Sequence, residues 1–124
     1  MNTVRFVKKK VEDIVHFFYD CEISKFIWKE TEKWINTGSL VQIKFNLRNV
    51  IFGFEEKRND ALNCMVILIK QQLFVQKLNN KIPIFNTIKK KVIQYYEDEK
   101  YINYISGTNS KFVVKWQSLR PVFV

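Results

Sequence analysis

An apolar block at residues 61–69, ALNCMVILI, is the feature that most limits how this chain can fold. The block stops at Lys70, and it is about half as long as the roughly 20 apolar residues that a membrane-spanning helix requires. Between Cys64 and Ile69 apolar side chains would cover nearly every side of a helix, which is typical of a helix surrounded by protein. We therefore predict a soluble chain without a membrane partner, in which this helix is the central one.

Apolar spacing predicts the remaining helices as well. Ile27 and Trp34, like Trp28 and Ile35, lie seven residues apart, which predicts an amphipathic helix over residues 23–35 with both tryptophans buried. The central helix is expected to begin at Asn59 or Asp60 and to run to residue 80, with one buried face formed by Leu62, Val66, Ile69 and Leu73. Three further helices are predicted, over residues 12–20, 84–105 and 110–119, the second of which buries Phe85, Ile88, Val92 and either Tyr95 or Tyr96.

The composition favours a single compact unit. The chain of 124 residues contains three glycines and two prolines, and nearly half of it is hydrophobic, so it is neither disordered nor rich in turns. Ile43, Phe45 and Leu47 alternate with polar residues as in a strand, but an unbroken apolar run follows, so residues 43–54 are predicted as a short strand or an irregular segment. We predict one all-α domain over residues 1–124, a small bundle of four or five helices.

The positive charge of the chain is concentrated in its second half. The net charge is +9 overall and +7 over residues 61–124, where 10 basic residues face 3 acidic ones. Between Ala61 and Tyr96 there is no acidic residue, and the six lysines of this span are Lys70, Lys77, Lys81, Lys89, Lys90 and Lys91. Solvated lysines are the commonest explanation of such a pattern, but the missing acids favour a phosphate-binding surface, with RNA or DNA as the partner.

His16 and Cys21 have the spacing of one half of a zinc site. A structural zinc ion takes four ligands, usually as two close pairs, and residues 1–15 contain no cysteine or histidine for the second pair. Cys64 lies in the apolar block, where a free thiol behaves as a small hydrophobic group. The site is therefore predicted to be incomplete and without a bound metal, unless ligands come from outside this chain.

No arrangement of residues predicts catalysis. The YYED sequence at residues 95–98 is similar to the acidic turn that holds metal ions in polymerases, but its setting looks helical and lacks glycine. With one histidine in the chain, we predict no Ser/His/Asp or Cys/His catalytic arrangement. With three glycines, we predict no glycine-rich loop that binds phosphate. We expect a protein without enzymatic activity, without a cofactor and without a small-molecule substrate.

The stretch EDIVHFFYDCEISKFIWKETEKWI, residues 12–35, resembles the C-terminal zinc-binding segment of reverse transcriptases from non-LTR (LINE-like) retrotransposons. The resemblance continues through VIFGF, IKKKVIQYYEDEKYI and KFVVKWQSL, and it covers about residues 11–119. It implies that His16 and Cys21 match the last two ligands of a Cys-Cys-His-Cys zinc site. The sequence departs from the family where the first cysteine pair should stand, since MNTVRFVKKK occupies that place.

The resemblance implies a non-catalytic remnant of such a reverse transcriptase, acting as an accessory domain that binds nucleic acid. Two alternatives remain open: a helical protein-interaction or structural module that binds no nucleic acid, and an orphan product without a function. The basic start of the chain is followed by Glu12, Asp13 and His16 and not by an apolar core, so no secretory signal is predicted. We expect an intracellular protein, in the nucleus or the cytoplasm.

Overall fold

The computed structural model describes residues 13–56 and 59–123, and these residues form a bundle of helices without any strand. In chain order the elements are a π-helical turn His16–Asp20, α1 Glu22–Gly38, α2 Leu47–Phe52, α3 Asp60–Leu78, α4 Phe85–Ile105, α5 Asn109–Trp116 and a 3₁₀ turn Arg120–Phe123. The predicted all-α class is confirmed. No helix in the part of the chain that the structure describes is long and apolar enough to cross a membrane.

Helix α3 is the centre of the bundle, as its apolar block predicts. It packs against α4, α5 and the π-helical turn, and one face of it is fully buried. This face consists of Ala61, Leu62, Met65, Val66, Ile69 and Leu73. Burying a valine, leucine, isoleucine or methionine side chain stabilises a fold by about 1.5–3 kcal/mol, so the five larger residues of the α3 face are a main source of stability.

Helix α1 extends over the predicted span and somewhat beyond it. Trp28 is 2% exposed, and its indole N–H donates to the carbonyl of Phe18 at 2.6 Å. Trp34 is only half-buried, which corrects the expectation that both tryptophans are core residues. It lies at the edge of the bundle, where its ring meets those of Phe85 and Phe123.

The segment before α2, residues 41–46, belongs to no helix, and it forms no strand with any other described residues. Its backbone is bonded by side chains of α1: Glu32 accepts from Phe45 N–H at 2.5 Å, and the Asn36 amide accepts from Ile43 N–H and donates to its carbonyl. These side chains satisfy the backbone groups of Ile43 and Phe45, so the segment does not depend on hydrogen bonds to a neighbouring strand. Asn46 and Asn49 then form a reciprocal capping box that starts α2.

Helices α4 and α5 follow the predicted spans with small differences. Ile88, Val92 and Tyr96 are buried, whereas Tyr95 is 38% exposed, so Tyr96 is the core tyrosine. Helix α5 is shorter than predicted, because residues 117–119 form a turn into the 3₁₀ segment. That turn brings the Phe123 ring onto the Tyr96 ring, stacked at 4.2 Å between centroids.

Candidate functional site

The His16–Cys21 segment forms the start of helix α1. Residues 16–20 make a π-helical turn, which closes when the Cys21 N–H donates to the carbonyl of His16 at 2.9 Å. Cys21 then serves as the N-cap of α1, and its sulphur accepts from the Ser24 N–H at 3.4 Å. His16 is exposed. Of the two predicted ligands, His16 therefore lies at the surface, whereas the Cys21 sulphur is part of a helix cap.

Lys77 occupies the space next to the Cys21 sulphur. Its ammonium lies 3.3 Å from Cys21 Sγ, and it donates to the Phe17 carbonyl at 2.6 Å and to the Ser24 hydroxyl at 3.0 Å. Partial burial raises the pKa of the Cys21 thiol, but hydrogen bonds from Ser24 and Lys77 and the charge of Lys77 outweigh it, so this pKa lies below its usual value.

This arrangement does not fit a zinc site. A zinc ion bound to Cys21 would lie about 2.3 Å from its sulphur, beside an ammonium that already makes three polar contacts there. Among residues 13–56 and 59–123, no three histidine, cysteine, aspartate or glutamate side chains come together in a group that could hold a metal ion. Residues 1–12, where the family has its first ligand pair, lie outside the described residues.

The structure separates the six lysines of the acid-free span into two groups. Lys77 is used internally, as described above, and Lys70 donates to the carbonyl of Ile51 at 3.3 Å. Burial lowers the pKa of Lys70. Both ammonium groups are thus bound within the chain, by the carbonyls of Ile51 in α2 and Phe17 in the π-helical turn.

The second group lies at the turn between α3 and α4 and on the first turns of α4. Lys81, Lys90 and Lys91 are exposed, whereas Lys89 is half-buried, with its ammonium 5.2 Å from the centre of the Trp34 ring. Consecutive residues of a helix point about 100° apart, so the three lysines of α4 project in different directions. They form a positively charged end of the bundle and not a single stripe.

A second charged cluster, which the sequence did not indicate, lies between α4 and α5. Glu99 accepts from the Lys115 ammonium at 2.7 Å and from the Trp116 indole N–H at 2.5 Å. Partial burial lowers the pKa of Lys115, but its hydrogen bond and ion pair with Glu99 outweigh this, so the pKa is raised. Glu99 is 16 residues from Lys115 and 17 from Trp116, spacings that no helical repeat predicts. Only the tertiary structure reveals this cluster.

Two further features are candidates for a site, the YYED sequence and a cavity beside the start of α3. Glu97 and Asp98 of the YYED sequence are exposed on helix α4, where Asp98 accepts from Gln94 at 2.8 Å. A cavity of about 450 Å³ lies between the residues 41–44, the start of α3 and the end of α5. Its lining in the described part of the chain contains Lys44 and Lys115 but no histidine, cysteine or carboxylate.

Comparison of the chain with protein-family models, with curated proteins and with solved structures gives no match. The resemblance to the reverse-transcriptase segment therefore rests on the quoted motifs alone.

Proposed function

We propose that this chain is a non-catalytic accessory domain that binds RNA or DNA through the positively charged end of the bundle, at Lys89, Lys90 and Lys91 with Lys81 beside them. One observation carries the proposal: no acidic residue occurs between Ala61 and Tyr96, and Lys81, Lys90 and Lys91 are exposed there. Lysines without neighbouring acids attract a phosphate backbone, and they release its counterions on binding.

The start of helix α4 adds to the attraction for phosphate. The unpaired N–H groups of a helix N-terminus carry a partial positive charge, and the first turn of α4 contains no acidic residue. The lysines point in several directions, which suits contact with a flexible backbone better than reading of base edges. We therefore expect binding that tolerates changes of sequence.

The resemblance supports the same proposal, since a reverse transcriptase acts on nucleic acid. We propose that residues 11–119 derive from the C-terminal segment of a non-LTR retrotransposon reverse transcriptase. Zinc binding by this chain alone is not part of the proposal, because Lys77 lies beside the Cys21 sulphur. With a nucleic-acid partner, we propose an intracellular location, in the nucleus or the cytoplasm.

The test is binding of the purified chain to labelled single-stranded RNA and to duplex DNA over a series of salt concentrations. We expect Kd values in the range of about 10⁻⁴–10⁻⁶ M near physiological salt and a steep loss of affinity as salt rises. Replacing Lys90 and Lys91 with Gln should weaken binding equally for all sequences. The slope of log K against log salt should become shallower by up to about 2, because each lost phosphate contact removes roughly 0.7–0.9 of a released ion.

A matched control is available on helix α1. Lys29 and Lys33 are exposed and lie among the acidic residues Glu22, Glu30 and Glu32, so replacing both with Gln removes the same charge from a balanced surface. This control variant should keep the affinity and the salt slope of the wild type. No binding at low salt, or an equal loss in both variants, would contradict the proposed surface and favour the interaction-module alternative.

A further inference from the structure

Cys21 and Lys77 bring two nucleophilic groups from different helices into contact. The Cys21 sulphur caps the start of α1, the Lys77 nitrogen belongs to the last turn of α3, and the two atoms are 3.3 Å apart. This distance falls within the range of about 3–3.5 Å at which reacting atoms lie just before a bond forms. The fold therefore places a thiol and an amine, 56 residues apart in the sequence, within reacting distance of each other.

Further contacts hold the Lys77 nitrogen beside the sulphur. It donates to the Phe17 carbonyl at 2.6 Å and to the Ser24 hydroxyl at 3.0 Å, and it lies 4.4 Å from the centre of the Phe17 ring. The Ser24 hydroxyl donates in turn to the Phe17 carbonyl at 2.7 Å. A free lysine side chain samples many rotamers, so these contacts are what keeps the nitrogen in position for a reaction with Cys21.

Cys21 has the properties of a cysteine that peroxide oxidises. It is half-buried, so the residue has access to solvent. Its sulphur accepts from the Ser24 N–H and from Lys77, and these bonds and the charge of Lys77 lower the pKa of the thiol. Oxidation by peroxide is fastest for exposed cysteines with thiolate character, so Cys21 should form a sulfenic acid more readily than Cys64, whose pKa is raised by burial.

A sulfenic acid condenses with a nucleophile within its reach, and no second thiol lies near Cys21. Cys64 is the only other cysteine, and it lies on α3 13 residues before Lys77, which is about 20 Å along the helix axis. Ser24 offers a hydroxyl and a backbone amide beside the sulphur, and both are weaker nucleophiles than an amine. The Lys77 amine is therefore the expected partner of an oxidised Cys21.

We propose that hydrogen peroxide joins Cys21 to Lys77 through a bond between sulphur and nitrogen. First, the Cys21 thiolate attacks one oxygen of the peroxide, the O–O bond breaks, and the sulfenic acid forms with loss of hydroxide. Second, the neutral form of the Lys77 amine attacks the sulphur, the S–O bond breaks, and the departing hydroxide takes a proton from the nitrogen. The sulphur is oxidised by two electrons, the peroxide is reduced to two water molecules, and the chain loses two hydrogen atoms.

This modification ties the start of α1 to the end of α3. A cross-link between residues this far apart restricts the unfolded chain and so stabilises the folded one. Thiol reductants cleave such a bond, so the link is reversible. The Cys21–Lys77 pair is thus an oxidation-dependent brace of the bundle, and it is independent of nucleic-acid binding, which involves Lys90 and Lys91.

The test is peptide mapping by mass spectrometry of the purified, reduced chain after treatment with hydrogen peroxide. Trypsin cuts after unmodified lysines, so it should no longer cut after Lys77 once this residue is linked. We expect a joined species of residues 11–25 and 71–81, about 2 Da lighter than the two peptides together, and its disappearance on addition of dithiothreitol. The melting temperature of the linked chain should exceed that of the reduced chain by about 5 °C or more.

Three controls separate this reaction from general oxidation. Cys64→Ser should form the link as the wild type does. Lys77→Arg keeps a positive charge beside the sulphur but replaces the amine with a weaker nucleophile, so its Cys21 should oxidise without forming the link. Peroxide treatment of the wild type in denaturing urea should give no link, because the contact depends on the fold. Continued cleavage after Lys77 in folded wild type whose Cys21 is oxidised, or equal linking in urea, overturns the proposal.

Discussion

The ammonium of Lys77 lies 3.3 Å from the sulphur of Cys21, and this contact connects the end of helix α3 to the start of helix α1. The same ammonium donates to the Phe17 carbonyl, and it lies 4.4 Å from the centre of the Phe17 ring. A residue that looks like part of a basic surface in the sequence is thus a structural residue in the fold.

The Lys77 contact predicts that the two cysteines differ in reactivity. The pKa of Cys21 is lowered, whereas burial raises the pKa of the Cys64 thiol. Because the thiolate is the reactive form, Cys21 should react with iodoacetamide faster than Cys64 at neutral pH, and its rate should reach half-maximum at a lower pH than for free cysteine. Mass spectrometry of each labelled cysteine over a pH series measures this.

Lys77→Gln tests whether Lys77 causes the difference in reactivity between the two cysteines, because it removes the charge beside the Cys21 sulphur. It should slow the labelling of Cys21 and leave that of Cys64 unchanged. Equal labelling rates of the two cysteines in the wild type would show that the Lys77 contact does not act on the thiol.

Removing the Lys77 ammonium should also destabilise the fold. Lys77→Met keeps the length of the side chain but removes the bonds of the ammonium to the Phe17 carbonyl and the Ser24 hydroxyl, which should cost about 1–3 kcal/mol in the free energy of unfolding. Lys91→Met removes an exposed lysine from α4 and should stay within about 0.5 kcal/mol of wild type. Denaturant unfolding followed by circular dichroism compares them, and equal stability of the two variants would contradict the structural role of Lys77.

The two tryptophans of α1 should differ in their contribution to stability. Trp28 is buried and bonded to the Phe18 carbonyl, so Trp28→Ala should cost roughly 3–5 kcal/mol. Trp34→Ala should cost less, because Trp34 lies half-buried at the edge of the bundle. Thermal melting of both variants tests the order, and a larger loss for Trp34→Ala would show that the edge cluster with Phe85 and Phe123 matters more than the core.

Periodicity predicted α1, α3, α4 and α5 because the core faces of these helices are continuous, but it missed α2, which lies where a short strand or an irregular segment was predicted. The buried face of α3 repeats every three or four residues, and so do Ile88, Val92 and Tyr96 of α4. The same rule failed for Trp34, because a seven-residue spacing places two residues on one side of a helix but does not say how far the neighbouring helices extend over it. Burial at the edge of a bundle depends on tertiary structure.

The candidate site was less predictable than the fold. No spacing in the sequence reveals that the carbonyls of Ile51 and Phe17 lie within reach of the ammonium groups of Lys70 and Lys77. Such bonds join residues 19 and 60 positions apart. The Ile51 carbonyl at the end of α2 accepts from Lys70, and the Phe17 carbonyl in the π-helical turn accepts from Lys77 and from the Ser24 hydroxyl.

The Glu99 cluster predicts a loss of stability at alkaline pH. The pKa of Lys115 is raised in the folded chain, so its contribution to stability is complete below the pKa of the unfolded state, and it disappears as pH rises through the folded value. Burial raises the pKa of Tyr96, which acts in the same direction. Stability measured by urea unfolding should therefore fall above about pH 10.

Glu99→Gln measures how much of this alkaline loss of stability comes from the ion pair between Glu99 and Lys115. This variant should be less stable than wild type by about 1–3 kcal/mol at about pH 7, because a neutral amide cannot accept from Lys115 and Trp116 as a carboxylate does. Its stability should also decline less between about pH 10 and about pH 12. An identical decline in both proteins would show that the tyrosines alone cause the alkaline effect.

Zinc should not stabilise the isolated chain, because an ammonium lies beside Cys21 and the sequence offers only one histidine and two cysteines. A site with a Kd of about 1 µM would raise the free energy of unfolding by about 2.7 kcal/mol at ~100 µM free zinc, and the melting temperature by several degrees. We expect zinc to raise the melting temperature of the wild type by less than about one degree, and the helical circular dichroism to stay unchanged after a chelator is added.

Cys21→Ser is the matched control, since serine also caps a helix. A shift of several degrees that this variant abolishes would show that Cys21 binds zinc, and that Lys77 moves away from the sulphur when the ion arrives.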